Sequence, residues 1–141
     1  MHIRAFQDED EPSVIEVWHQ CDLLRPWNDP HKDIRRKLAE QPEGFLVAVD
    51  DASTVIGTVM VGYDGHRGWI NYLGVSPDHQ RRGIGRALMA EAERLLRTKG
   101  CPKINLQVRT SNVAVIAFYK AIGFMQDDVV NLGKRLERDD A

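Results

Sequence analysis

The chain has no apolar run approaching the roughly 18 residues that a membrane-crossing helix requires. Cysteine is confined to Cys21 and Cys101, far apart and without a second pair. Neither a disulfide framework nor a zinc site is indicated by such spacing, so both read as reduced thiols and no metal is expected. No charge of one sign dominates: 19 Lys and Arg stand against 21 Asp and Glu, leaving −2. That balance argues against a protein held on nucleic acid by bulk positive charge. Repeats and low-complexity tracts are missing, and Met1-His2-Ile3-Arg4 leads straight into polar sequence without an apolar leader. Cytoplasmic residence is therefore the default expectation. What remains is 141 residues of mixed composition, one domain spanning 1–141 and able to bury about two-thirds of its unfolded surface without staples.

Periodicity and punctuation divide the chain. Ile3 to Phe6 reads as a strand, and Asp8 to Pro12 supplies a start for a helix carrying Val14, Ile15, Val17 and Trp18. The segment from Leu23 to Pro30 is a loop, followed by a short polar helix from Asp33 to Glu40. Strands are expected at Phe45 to Val49 and Thr54 to Tyr63, joined at Asp50-Asp51-Ala52-Ser53, and at Trp69 to Val75. Gly83 to Lys99 places Ile84, Leu88, Ala92, Leu95 and Leu96 on one helical face, and Gly100 stops it. Lys103 to Val108 is a strand, and Asn112 begins a helix with Ile116 and Tyr119. Phe124 to Asp127 and Val130 to Leu136 are predicted to pair as closing strands, with Glu137 to Ala141 a solvated tail. The order β-α-α-β-β-β-α-β-α-β-β predicts an α/β (α+β) domain with one mixed, twisted sheet of about seven strands and four helices. Its central crossover makes Trp69 to Val75 parallel to Lys103 to Val108.

The run Val75-Ser76-Pro77-Asp78-His79-Gln80-Arg81-Arg82-Gly83-Ile84-Gly85-Arg86-Ala87-Leu88 joins strand to helix through a cationic, glycine-bearing loop. Main-chain N–H groups at a helix start lack helical partners, and glycine lets a ligand oxygen reach them. Arg81, Arg82 and Arg86 add charge of the sign a phosphate needs. A plain helix start on a solvated surface has the same composition, so both readings stay open from this segment alone. A dinucleotide fingerprint fits worse because Leu88 occupies the third small position. A P-loop is excluded, since no Gly-Lys-Ser/Thr follows.

Gln80-Arg81-Arg82-Gly83-Ile84-Gly85 matches the pattern Q/R-x-x-G-x-G/A. Further on, Asn112 is followed seven residues later by Tyr119 and then by Gly123-Phe124. With both motifs in this order, the chain resembles, over nearly its whole length, the GNAT family of acyl-CoA N-acyltransferases. The resemblance implies the GNAT fold and acetyl-CoA as cosubstrate, with no metal. It assigns the diphosphate to Gln80, Arg81, Arg82, Gly83, Ile84, Gly85, Arg86 and Ala87, and the pantetheine arm to the backbone of Leu73, Gly74 and Val75. Asn112 is implied as a cofactor contact besides capping its helix. Tyr119 is implied as a cofactor contact and as the general acid for the leaving thiolate, a role suited to a phenol that is protonated at neutral pH.

The stretch Leu106 to Asn112 is similar to ribosomal-protein alanine N-acetyltransferases, which carry Glu where this chain has Gln107. Glutamine takes no proton. The remaining candidates for a base are Asp64 and His66, Asp22, or a chain of waters. Cys21 to Pro30 and Gly62 to Gly68 closely resemble the YpeA-type branch of predicted bacterial acetyltransferases, which suggests an acceptor pocket of Asp22, Arg25, Trp27, Asp64 and His66. Leu23, Leu24 and Trp27 read equally well as anchors pinning that loop to the core.

Two functions follow. One is an N-acetyltransferase that moves an acetyl group to a primary amine, on a small molecule or a protein, by direct attack. The alternative is a non-catalytic acetyl-CoA-binding sensor, which the missing Glu keeps open. Nucleic acid is a poor partner because no aromatic residues accompany the arginines, and no membrane partner is expected. A homodimer is one option, with Val130 to Leu136 supplying an edge, although Lys134 and Arg135 read as protection of that edge.

Overall fold

A computed structural model describes residues 1–140. The strands are β1 (His2–Ala5), β2 (Phe45–Val49), β3 (Val55–Tyr63), β4 (Gly68–Val75) and β5 (Ile104–Leu106); the helices are α1 (Glu11–Gln20), α2 (Pro30–Ala39), α3 (Ile84–Thr98) and α4 (Val113–Ala121). Single 3-10 turns fall at Asp8–Asp10, Pro42–Gly44 and Pro77–His79. The strands lie in chain order in one sheet, with β1 to β4 antiparallel and β4 parallel to β5. The predicted mixed sheet, with β4 and β5 parallel and α3 between them in the chain, is therefore present.

Apolar side chains on both faces of β2 and β3 explain why helices cover both sides. Phe45, Val47, Val49 and Met60 pack with Val14, Val17 and Trp18 of α1 and Ile34 of α2. Leu46, Ala48, Val59 and Val61 face Ile84, Leu88, Ala92 and Leu96 of α3 and Tyr119 of α4. Trp18, Phe45 and Leu88 are wholly enclosed, each contributing about 2 kcal/mol or more through removal of its surface from water. The one polar side chain inside this layer, Thr58, accepts from Trp18 Nε1 at 3.0 Å and donates to the Tyr72 carbonyl at 2.8 Å.

The sheet has five strands, not about seven. Phe124 to Asp127 and Val130 to Leu136 form no strand, and Val129, Val130, Leu132 and Leu136 are exposed. This segment meets the β5 region through side chains: Lys103 Nζ lies 2.7 Å from Asp127 Oδ2, and Gln107 donates to Asn131. Two features account for the difference. With three residues, β5 offers little backbone to pair against, and Asp127-Asp128 and Gly133-Lys134-Arg135 interrupt the apolar alternation that would give a strand a buried face. β5 also falls short of the expected Lys103 to Val108.

The tail is the second departure. Instead of being solvated, Asp139 has a side chain only 3% exposed, 2.7 Å from Arg36 of α2.

Candidate active site

β4 delivers the chain to the arginine loop. After the Pro77–His79 turn, Arg81 (φ 65°) and Gly83 (φ 79°) both adopt left-handed backbone. For arginine this conformation costs about 1 kcal/mol or more, while glycine adopts it freely. Gly83 is the N-cap of α3, and no side chain caps the helix. The first bond of that helix start runs from Ala87 N–H to the Gly83 carbonyl at 2.9 Å, so the N–H groups of Ile84, Gly85 and Arg86 precede it without helical partners. A Cβ built on Gly83 would meet no atom within 4 Å, leaving open space against those donors. Arg81, Arg82 and Arg86 are exposed, and among the described residues none forms an ion pair. Free donors, open space and uncommitted cations fit the diphosphate of coenzyme A.

The pairing of β4 with β5 ends partway along β4. Their parallel ladder covers Gly68, Trp69 and Ile70 against Ile104, Asn105 and Leu106, then stops. From Asn71 to Val75 the β5-facing edge of β4 has no strand beside it, whereas its other edge stays paired with β3. Leu73 and Val75 turn toward the α3–α4 side and pack on that core. Gly74 faces the α1–α2 side, where an added Cβ would meet Leu23 at 3.1 Å. The Val75 carbonyl is already engaged, accepting from Gln80 Nε2 at 3.0 Å and Cys21 Sγ at 3.2 Å. Gln80 thus braces the loop against its own strand.

Tyr119 on α4 belongs to the same core cluster as Leu73 and Val75 and is 8% exposed, with the rings of Phe118 and Phe124 edge-on at 5.2 and 5.4 Å. Burial pushes its pKa up to about 12, and no residue hydrogen-bonds its hydroxyl among those described. The group is a protonated phenol with a free donor. Asn112 caps α4, its Oδ1 accepting from Val115 N–H at 3.4 Å. Gln107 is exposed and turned to Asn131.

The five residues expected around the acceptor do not converge. Asp22, with left-handed backbone and a side chain 95% exposed, lies 3.6 Å from Arg25, which also donates to the carbonyls of Asp22 and Leu24. Leu23 and Leu24 pin this loop to the α1–α2 core, as one reading of the sequence held, but Trp27 is not part of that cluster. Asp64 and His66 occupy the β3–β4 turn, at the opposite end of β4 from Gly74. From Arg67, to whose carbonyl the Asp64 N–H donates across the turn, to Asn71 the strand runs about 13 Å. Asp64 accepts from the N–H groups of Arg67 (2.7 Å) and His66 (2.8 Å) and from Trp69 Nε1 (3.1 Å). Those bonds, the Arg67 N–H foremost, hold its pKa below the usual carboxylate value. A turn-building role accounts for every contact this carboxylate makes.

One group on the same strand was not anticipated. Tyr72, at a bulge in β4, has φ 53°, stacks on Trp18 with centroids 3.9 Å apart, and donates its hydroxyl to Asp33 Oδ2 at 2.6 Å. A Tyr inside an apolar strand carries no sequence signal for this; its partner on α2 is 39 residues away.

A mixed sheet parted beside an anion-ready helix start is the arrangement of acyl-CoA-dependent acyl transfer proteins, and the comparisons agree. The acetyltransferase (GNAT) family matches residues 8–124, and the chain belongs to that family. It is 54% identical over 140 residues to an acetyltransferase of Sodalis glossinidius, covering 99% of this chain and 98% of the relative. Ard1 from Thermoplasma volcanium has a TM-score of 0.76 at 31% identity, covering 88% of this chain and 82% of that one. The PaiA N-acetyltransferase of Thermoplasma acidophilum, solved in complex with coenzyme A, shares the fold with a TM-score of 0.79 at 24% identity, covering 92% of each chain. The protein is an acetyl-CoA-dependent N-acetyltransferase. No helix among the described residues is long and apolar enough to cross a membrane, and no metal-holding cluster of His, Cys, Asp and Glu occurs among them.

Proposed function

We propose that the protein transfers the acetyl group to a primary amine by direct attack, with Tyr119 as the general acid. The acetyl-CoA cosubstrate supplies a thioester at the end of a long arm and a diphosphate by which to hold it. The Ile84, Gly85 and Arg86 amides and the side chains of Arg81, Arg82 and Arg86 bind the diphosphate, and the unpaired edge from Leu73 to Val75 aligns the arm by its peptide groups. A neutral amine forms the new N–C bond as the C–S bond breaks, and the amine's proton leaves through water. Tyr119 gives its proton to the departing thiolate and regains one from solvent.

The observation that carries this reading is the uncommitted hydroxyl of the largely buried Tyr119. A phenol with a pKa near 12 keeps its proton throughout the neutral range, and its enclosure by Phe118 and Phe124 restricts its direction. Neither Gln107, which takes no proton, nor Asp64, spent on its turn, supplies a base. This favours an acceptor that is easily deprotonated. A peptide α-amino group loses its proton two to three pKa units more readily than a lysine, about 3 to 4 kcal/mol. The cytoplasm, where Cys21 and Cys101 remain reduced, is the compartment that suits the chain.

The test is thiol release from acetyl-CoA with a panel of peptide N-termini, lysine side chains and small amines. Turnover strongest with α-amino groups, and lost in Tyr119→Phe while acetyl-CoA still binds, is the expected result. Cofactor binding without thiol release from any amine would overturn the reading.

A further inference from the structure

The tail meets the site through a chain of charged groups that the transfer reaction itself does not use. Asp139 receives Arg36 Nη2 at 2.7 Å on one oxygen, and Arg36 Nη1 at 3.1 Å and the Asp29 N–H at 2.8 Å on the other. Its own N–H approaches the Trp27 carbonyl at 3.4 Å, and Arg135 reaches Asn28 at 3.3 Å. Arg36 Nη1 is shared: it also donates to Asp33 Oδ1 at 2.9 Å. The second oxygen of Asp33 is thereby left for the Tyr72 hydroxyl. Tyr72 is gripped at three points, by Trp18 under its ring, by Thr58 at its carbonyl and by Asp33 at its hydroxyl. All three act on the residue whose left-handed backbone makes the bulge in β4.

We propose that Asp139 is a positioning residue for acetyl transfer: by engaging both guanidinium nitrogens of Arg36 it limits Arg36 to one bond with Asp33, leaves the other Asp33 oxygen to Tyr72, and so fixes the bulge that aims the edge from Asn71 to Val75 at the thioester. This rests on the reading that acetyl-CoA lies along that edge. A guanidinium freed from Asp139 closes on the nearest carboxylate with both of its nitrogens, competing with Tyr72 for the oxygen the phenol now uses and pulling the carboxylate toward Arg36. The Tyr72 hydroxyl bond would be weakened and redirected, and the bulge would be held less firmly at one of its three restraints. Part of the active strand's geometry is thus set by the chain's last described turn, 67 residues beyond Tyr72 in sequence.

The test compares the unaltered protein with Asp139→Asn, Asp139→Glu and Tyr72→Phe, using acetyl-CoA labelled with 13C at the acetyl carbonyl. In Asp139→Asn the amide resonances of Leu73 and Gly74 are expected to move without cofactor. Acetyl-CoA affinity should stay within about threefold, and the bound carbonyl resonance should shift toward that of free acetyl-CoA. Tyr72→Phe should produce the same carbonyl shift, the double variant no more than either alone, and Asp139→Glu a partial return. A carbonyl resonance unchanged in Asp139→Asn, with the Asp29 amide showing that the tail has come away, would overturn the proposal while leaving the cofactor site intact. Failure of the unaltered protein to bind acetyl-CoA would instead overturn the cofactor reading and this proposal with it.

Discussion

Two turns flank β4, and both are rich in polar and charged groups, yet they are built in opposite ways. At the start of the strand, Asp64 gathers two main-chain N–H groups and the Trp69 indole. That turn is closed on itself. At the end of the strand, among the described residues, Arg81, Arg82 and Arg86 stand without carboxylate partners and the first amides of α3 have no acceptor. An open set of donors and cations is available to an anion, whereas donors already spent on a carboxylate are not. Counting partners therefore separates the open turn, proposed to bind the diphosphate, from the closed one, where counting charges does not.

The sharpest way to break this contrast acts on the acid proposed to work with the open turn. Replacing Tyr119 by Phe removes the proton donor and leaves the enclosed ring, so thiol release should fall by about 100-fold or more, with acetyl-CoA affinity unchanged by calorimetry. The open turn itself is tested by Gly83→Val, which places a branched side chain at φ 79° and fills the space beside the free donors. A penalty of about 2 kcal/mol predicts roughly 30-fold weaker acetyl-CoA binding.

A filled site elsewhere sets the scale for stability. Asp10 sits under Arg4 with bonds of 2.7 and 2.9 Å and also receives the Gln7 N–H. Burial raises its pKa, but the Arg4 hydrogen bonds, the Gln7 amide and the Arg4 charge together outweigh burial and lower it. A lowered folded-state pKa means that this stabilisation is complete above the unfolded value near 3.9 and is lost as pH falls through the folded-state pKa. Asp10→Asn should cost about 2 kcal/mol at neutral pH, with the gap to the unaltered protein narrowing in acid denaturation series. The smallest effect belongs to the closed turn: Asp64→Ala should lower Tm by only a few degrees and leave acetyl-CoA affinity and turnover unchanged. A large loss of turnover in that variant would restore Asp64 as a base and erase the distinction between the two turns.

Local patterns carried far in this chain. The arginine loop, α3 with its single apolar face, and the hairpin at Asp50 to Ser53 are each specified by residues within a few positions of one another, and each was legible in the sequence. Where partners are distant, legibility failed. The strands expected after Phe124 depended on a neighbouring edge, and β5 provides only Ile104 to Leu106. Glu137 to Ala141 has the composition of a solvated tail, yet Asp139 finds Arg36 more than a hundred residues away. Asp22, Arg25, Asp64 and His66 looked alike as polar loop residues, and only the direction of β4 shows that two of them belong to its far end.

By itself, then, the sequence determined the family, the order of its main elements and the donor-rich loop, because backbone preference, apolar periodicity and motif spacing act over short stretches of chain. Tertiary structure alone decided how far β4 and β5 run together, how deeply Tyr119 is enclosed, and that Asp139 reaches Tyr72 through Arg36 and Asp33. Those outcomes depend on groups distant in sequence competing for the same neighbours, and that competition is settled only when the layers pack.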